Sequence, residues 1–405
     1  MKKILSLICL VLCISCCFSC GNASESSDTE NKSDGNTSGT EIVNTDSEKN
    51  DSEKEDKMRL GAYVWYGFSY EGNHYTDRLM TEFAGREPIW GWTEDSLSNM
   101  AYQIQIAKEN GLSFFAFDWY YGHPELNQAV MNFSRAEGQE DMEFCLMVAN
   151  HDGARITYDT WKDACNTFIR YMSKKNALKV NGKPVIIFYV ITNLVTDLGG
   201  TDKVRECFDY LRAQTEAYGG AYIIGCECPY GTPSTGAIDF NYESFSVEAL
   251  QKRLSRDKEC GFDALTGYNY RRYSPIEGSY ELSYQTMTQQ HEISWDAISE
   301  YSDLAYAPCI LSGWDCRPWE TDWSGNTTGY RSCYAPDRTA EVFTQHILNA
   351  YQWLQDNPEQ SAGNIALIYA WDEVCEGGFL IPTKGEGFKM LEGLKNAVDQ
   401  INNAQ

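Results

Sequence analysis

From Met58 onward, eight short apolar runs alternate with eight longer amphipathic stretches. The strand segments are 59–65, 112–118, 143–149, 184–190, 221–226, 262–268, 305–311 and 364–370. The helical segments are 95–109, 124–134, 158–174, 202–218, 245–257, 285–301, 336–355 and 386–401. Thr157 and Asp202 suit helix N-caps, and Gly111 and Gly219 suit helix stops. Pro184 opens the fourth strand, where a proline is tolerated. Eight β-then-α units in series predict an α/β fold of the (β/α)8 TIM-barrel type. The competing doubly wound sheet usually carries a glycine-rich phosphate loop after its first strand. Here that strand ends Trp65-Tyr66-Gly67, without a G-x-G-x-x-G pattern.

The segment before the barrel differs in kind. Lys2 and Lys3 precede an apolar run from Ile4 to Phe18, too short for an ordinary membrane span. The run ends Phe18-Ser19-Cys20-Gly21-Asn22 and resembles a bacterial lipoprotein signal with Cys20 as the lipidated residue. Cys17 stands where Leu is usual, and Cys16 is a competing acceptor. Residues 21–57 hold 11 acids, 4 Lys and no aromatic, a composition that orders no core. The expected division is a signal peptide over 1–19, a disordered acidic linker over 20–57 and a folded domain over 58–405. The implied place is the cell envelope or surface, with the lipid as an anchor to a bacterial membrane.

The formal net charge of −25 opposes binding to nucleic acid. Five of the 15 Cys lie in the first 20 residues and ten in the body. The body has no C-x-x-C, and the chain only five His, so neither a metal site nor a cofactor is expected. The body cysteines read as small buried hydrophobes.

In a barrel, chemistry gathers where the strands end. Those positions hold Trp65 and Tyr66; Asp118, Trp119 and Tyr120; Asn150 and His151; Tyr189; Glu227; Tyr268, Asn269 and Tyr270; Trp314, Asp315, Arg317 and Trp319; and Trp371. The segment Ala177 to Gly182, on the opposite face, reads as a plain turn. Aromatic rings stack on the apolar faces of sugars, and carboxylates and amides bond their hydroxyls. A glycan or polysaccharide is therefore the expected substrate, bound by Trp65, Tyr66, Asp118, Trp119, Tyr120, Asn150, His151, Tyr189, Glu227, Trp314, Asp315, Arg317 and Trp371. After the eighth strand comes Trp371-Asp372-Glu373-Val374-Cys375-Glu376-Gly377. Cleavage of a glycosidic bond needs two carboxyl groups, one to protonate the leaving oxygen and one to act as base or nucleophile. Glu373 and Glu376 are the candidate pair. The alternative is that they bond loop amides or pair with Arg317.

This W-x-E-x-x-E-G pattern resembles the endo-α-1,2-mannosidase family, glycoside hydrolase family 99, and its WbsX-type relatives. Ala62-Tyr63-Val64-Trp65-Tyr66-Gly67, Asp118-Trp119-Tyr120, Val180-Asn181-Gly182-Lys183-Pro184-Val185 and Gly313-Trp314-Asp315-Cys316-Arg317-Pro318-Trp319 extend the likeness over residues 60–395. The resemblance implies a (β/α)8 barrel. It implies that Glu373 is a base on the sugar 2-hydroxyl, which attacks the anomeric carbon to give a 1,2-anhydro intermediate. It implies that Glu376 is the general acid, then the base for water. Glu376 is thus expected to hold a proton at a raised pKa, and Glu373 to stay ionised. Val374 and Cys375 replace the Trp-His pair of the mannosidases, and Leu380-Ile381-Pro382 lacks a Glu before the proline.

The leading expectation is an exported, lipid-anchored glycoside hydrolase, with an α-mannoside as candidate substrate. One alternative is a glycosyltransferase. Such enzymes commonly use a D-x-D metal motif, and the chain has no two Asp at i, i+2. The other is a non-catalytic glycan-binding lipoprotein.

Overall fold

The computed structural model describes residues 57–65, 67, 75–93, 96–151, 153–229, 246–272, 275–320 and 332–404. Cys20, the expected signal and linker, and Tyr66 lie outside the described residues.

Eight segments form one curled parallel sheet. They are β1 (Arg59–Val64), β2 (Phe114–Trp119), β3 (Glu143–Val148), β4 (Lys183–Phe188), β5 (Tyr222–Cys226), β6 (Ala264–Thr266), β7 in two pieces (Ala305–Tyr306 and Cys309–Leu311) and β8 (Ile365–Tyr369). Sequence neighbours pair in parallel, and β1 returns to pair with β8, Arg59 opposite Ile365. The two ends of the sheet are the two pieces of β7: the first pairs with β6 and the second with β8. Between them Ala307 N–H donates to Leu265 O at 2.9 Å, and Leu367 N–H donates to Pro308 O at 2.9 Å. Pro308 has no N–H to give, so the regular ladder breaks there. The result resembles an incomplete (β/α)8 barrel.

The helices that follow the strands are α1 (Leu97–Glu109), α2 (Gln128–Phe133), α3 (Trp161–Met172), α4 (Thr201–Gln214), α5 (Val247–Cys260), α6 (Tyr284–Tyr301), α7 (Ala340–Asp356) and α8 (Lys389–Ala404). Ser96, Ser246, Ser283 and Thr339 cap α1, α5, α6 and α7 by accepting a backbone N–H of the first turn. The N-caps of α3 and α4 are Thr160 and Gly200 rather than Thr157 and Asp202. Thr157 belongs to a preceding turn, its N–H donating to Thr160 Oγ1 at 2.9 Å. Gly111 and Gly219 do end their helical stretches, at φ +92° and +100°. Ala177–Gly182 is more than a turn: Lys179–Val180 pairs antiparallel with the start of β4 across Asn181-Gly182, both at positive φ. A short helix, Ile191–Leu198, was also not anticipated.

Strand alternation sorts the side chains. On β2, Phe115 and Phe117 meet Phe133 of α2 at ring separations of 6.3 and 5.0 Å, so odd positions face the helices. Phe114 and Asp118 therefore face inward. Phe114 lies over Gly61 of β1, where an added Cβ would come within 2.0 Å of its ring. On β1 and β8 the inward residues are Tyr63 and Tyr369, which both meet Tyr268, at 4.9 and 4.8 Å. All ten body cysteines are buried.

Candidate active site

β8 ends in a tight hairpin. Asp372–Glu373 pairs antiparallel with Gly378–Phe379, and Val374, Cys375, Glu376 and Gly377 make the turn. Glu373 and Glu376 are thus displayed side by side at the C-terminal end of the sheet, the working end of barrel enzymes. Asp372 Oδ1 accepts the backbone N–H of Trp65 at 2.8 Å and ties the hairpin to the end of β1.

The carboxyl groups of Glu373 and Asp118 share one phenol. Tyr268 Oη is 2.8 Å from Glu373 Oε1 and 3.0 Å from Asp118 Oδ2. A phenol carries a single hydrogen and donates it once. The second contact is a hydrogen bond only when that carboxyl is protonated and donates to the phenol oxygen. Burial pushes both carboxyls well above the usual range. For Glu373 the charges of Glu376 and then Asp118 add to burial. Burial thus raises the pKa of Glu373 along with that of Asp118, where the sequence led to the expectation of a raised pKa at Glu376 instead. Asp118 Oδ1 is buried and has no protein partner among the described residues.

Glu376 sits closer to solvent, its side chain 15% exposed. It accepts the Tyr369 hydroxyl, and Arg271 Nη1 lies 3.9 Å from Oε1. The neighbour of Glu376 is therefore Arg271, and Arg317 is engaged elsewhere. Arg271 in turn stacks over Trp314 at 5.3 Å. The two glutamates so differ in surroundings: one enclosed among carboxyls and phenols, the other beside a cation at the opening.

Several expected sugar contacts do gather here. Tyr189 meets Tyr268 at 5.1 Å, and His151 stands between Tyr189 and Tyr120 at 6.0 and 5.6 Å. Tyr120 feels the charges of Asp118 and Glu373 and bonds Trp65, which places both aromatic side chains at the cluster.

Others are placed elsewhere. Trp119 is an odd position of β2 and packs edge-on against Phe168 of α3 at 5.2 Å. Trp371 is fully buried, meets Phe115 at 5.2 Å and donates to Gln103 Oε1 of α1 at 2.7 Å. Trp314 is 1% exposed and lies under Arg271 and Tyr369, its indole N–H donating to Ser332 Oγ at 2.9 Å. Asn150 clasps the backbone of Val190 through both ends of its amide, at 2.9 Å each. Glu227 is held by Arg253 and Arg256 at 3.2 and 3.0 Å. Asp315 is gripped by Arg317 at 2.7 Å and by Arg86 at 2.6 Å. These six, with Arg317, are engaged by internal partners. Tyr369 and Arg271 are functional candidates that the strand-end reading missed, and Tyr268, named there at a strand end, was not among the expected sugar contacts. Alternation along β8 offers a signal for Tyr369.

Residues 93–394 match the family model described as Glycosyltransferase WbsX. No curated protein sequence matches the chain. Among solved structures, an endo-alpha-mannosidase of glycoside hydrolase family 99 from Bacteroides thetaiotaomicron is similar in fold, with TM-score 0.54 and 12% identity over 86% of this chain and 98% of that one. A second structure of that kind, in complex with bis-tris-propane, gives TM-score 0.51 and 12% identity, over 85% and 98%. At this identity the likeness bears on the fold alone, that of an incomplete (β/α)8 barrel. The family match covers most of the chain and the whole site except Trp65, and by it the chain belongs to the Glycosyltransferase WbsX family.

Proposed function

We propose that the protein is a glycoside hydrolase that cleaves a glycan or polysaccharide with Glu373 and Glu376. The observation that carries this reading is the hairpin after β8, which sets two carboxyls of contrasting surroundings beside a third, Asp118, among the hydroxyls of Tyr268 and Tyr369. Glu373 accepts a proton from the sugar 2-hydroxyl, which attacks the anomeric carbon. Glu376 protonates the leaving oxygen and then activates water. An elevated pKa suits Glu373 to this task, because it makes the carboxylate a stronger base. Tyr268 holds its oxygen in place, and Asp118 Oδ1 is available to a substrate hydroxyl or a water. Tyr189, Tyr120, His151 and Trp65 line the approach. An α-mannoside is the first substrate to test.

The pH profile checks the role of Glu373. A base works only when ionised, and its pKa is raised, so activity is lost as pH falls through that raised value. The acid limb of kcat/KM should lie clearly above the ordinary carboxylate range of about 4 to 4.5. Asp118→Asn removes one of the charges that raise Glu373 and should move the limb to lower pH. A limb at the ordinary value in both proteins would contradict the assignment.

The family description supports a second reading, transfer of the glycosyl unit to a sugar acceptor through the same carboxyl pair. Acceptor-dependent products without release of free sugar would select it. We further propose that the protein is exported and lipid-anchored through Cys20. Label from a fatty-acid probe should appear in wild type and vanish in Cys20→Ala; label retained in that variant would move the site or remove it.

A further inference from the structure

The hairpin with the two glutamates is held from below by guanidinium groups recruited from distant parts of the chain. Arg338, just before α7, is 8% exposed at its side chain. Its Nη1 donates to Ser312 O, Gly377 O and Phe379 O at 3.2, 3.1 and 3.1 Å. Its Nε donates to Glu386 Oε1 at 3.0 Å, and Nη2 donates to Glu386 Oε2. The guanidinium plane lies over the Phe379 ring at 3.6 Å. On the other side Arg86 Nη1 donates to Val374 O at 3.0 Å and Asp315 O at 2.9 Å, and Nη2 donates to Asp315 Oδ2 at 2.6 Å. Asp315 N–H donates to Glu376 O at 2.6 Å. The carbonyls of Val374, Glu376, Gly377 and Phe379 are thereby all engaged.

This grip needs the loop after β7 and the hairpin after β8 to meet backbone to backbone. Glycines on both sides allow it. A Cβ on Gly313, at φ +155°, would come within 2.3 Å of Gly377 O. One on Gly377, at φ +77°, would come within 2.7 Å of Asp315 N. Arg338 and Arg86 bond carbonyls of the turn and of Ser312 and the carboxylates of Asp315 and Glu386, and lie over the rings of Phe379 and Phe83. Moving a reacting group by about 1 Å costs on the order of 10²-fold in rate.

We propose that Arg338, backed by Glu386, and Arg86, acting with Asp315, are positioning residues that fix the turn bearing Glu373 and Glu376. Asp315, expected to touch sugar, is on this reading part of the clamp. The kinetic arm of the test rests on the glutamate roles proposed above; the exchange arm does not.

The experiment compares full-length wild type with Arg338→Ala and Arg338→Lys. Lysine keeps a charge for Glu386 but lacks the planar fork that serves several carbonyls at once. Thermal unfolding first establishes that each variant is folded. Amide hydrogen exchange in the 374–379 segment should speed up by at least about tenfold, with β1 and β2 amides unchanged. On a glycan that wild type cleaves, kcat should fall about 10- to 100-fold with KM within about threefold. Added guanidinium ion should restore part of the rate to Arg338→Ala. If that variant does not fold, Arg338→Lys carries the same readings. Wild-type kcat in a folded variant, or exchange that rises uniformly over the whole domain, overturns the proposal. If wild type cleaves no glycan, the exchange arm alone decides: local acceleration upholds the clamp while the hydrolase reading falls.

Discussion

Glu373→Gln and Glu376→Gln are each expected to fold like wild type and to lose about 10²-fold or more in rate, the scale of general acid–base catalysis. Glutamine keeps the volume and can still accept from Tyr268 or Tyr369, whose hydroxyls now meet Glu373 and Glu376. What disappears is the ability to take up or give a proton. The two variants should part on a substrate with an activated aryl leaving group. Such a group departs with little protonation, so it should rescue the first step in Glu376→Gln far better than in Glu373→Gln. Equal rescue of both would contradict the division of roles. Steady-state rates on the natural glycan and the aryl glycoside provide the comparison.

Trp371→Ala is expected to produce the largest loss of stability, about 3–5 kcal/mol, the range for truncating a buried aromatic. The indole is fully buried between Phe115 and α1, and its N–H is taken by Gln103. Truncation opens a cavity and leaves the Gln103 carbonyl oxygen without that donor. The denaturant midpoint should fall sharply, while the activity of the folded fraction should stay near wild type. A stable variant with a raised KM would instead put Trp371 in contact with substrate.

The pattern of apolar runs carried the sheet well, because each strand is a short stretch flanked by turns and each helix a longer amphipathic one. Even the interrupted strand is marked in the chain, by Pro308 inside the run 305–311. The location of Glu373 and Glu376 at the C-terminal end of the sheet was also legible, since two residues immediately after the last strand have only that end to occupy. Which strand-end residues face the pocket was not. Along β2 the alternation holds to its end, so Asp118 turns inward and Trp119 toward the helices; beyond Tyr369, the last paired residue of β8, it lapses, so Trp371 turns toward α1 while Glu373 turns inward. Glu227 is occupied by Arg253 and Arg256, and Asp315 adds to its local pair with Arg317 a second one with Arg86, all three of Arg253, Arg256 and Arg86 coming from other segments of the chain. The same holds for the phenol between Asp118 and Glu373, which comes from a third strand, β6. Pairings of this kind depend on closure of the sheet, and no local spacing encodes them.

The central question is whether this site breaks glycosidic bonds. The most direct measurement is the release of new reducing ends from α-mannans and from mixed bacterial and plant glycans, using full-length protein beside a Glu373→Gln, Glu376→Gln double variant. Wild type should release reducing ends from at least one glycan, and the double variant none above background. Equal release by both proteins, or binding of a glycan by wild type without any cleavage, would contradict the proposed hydrolysis.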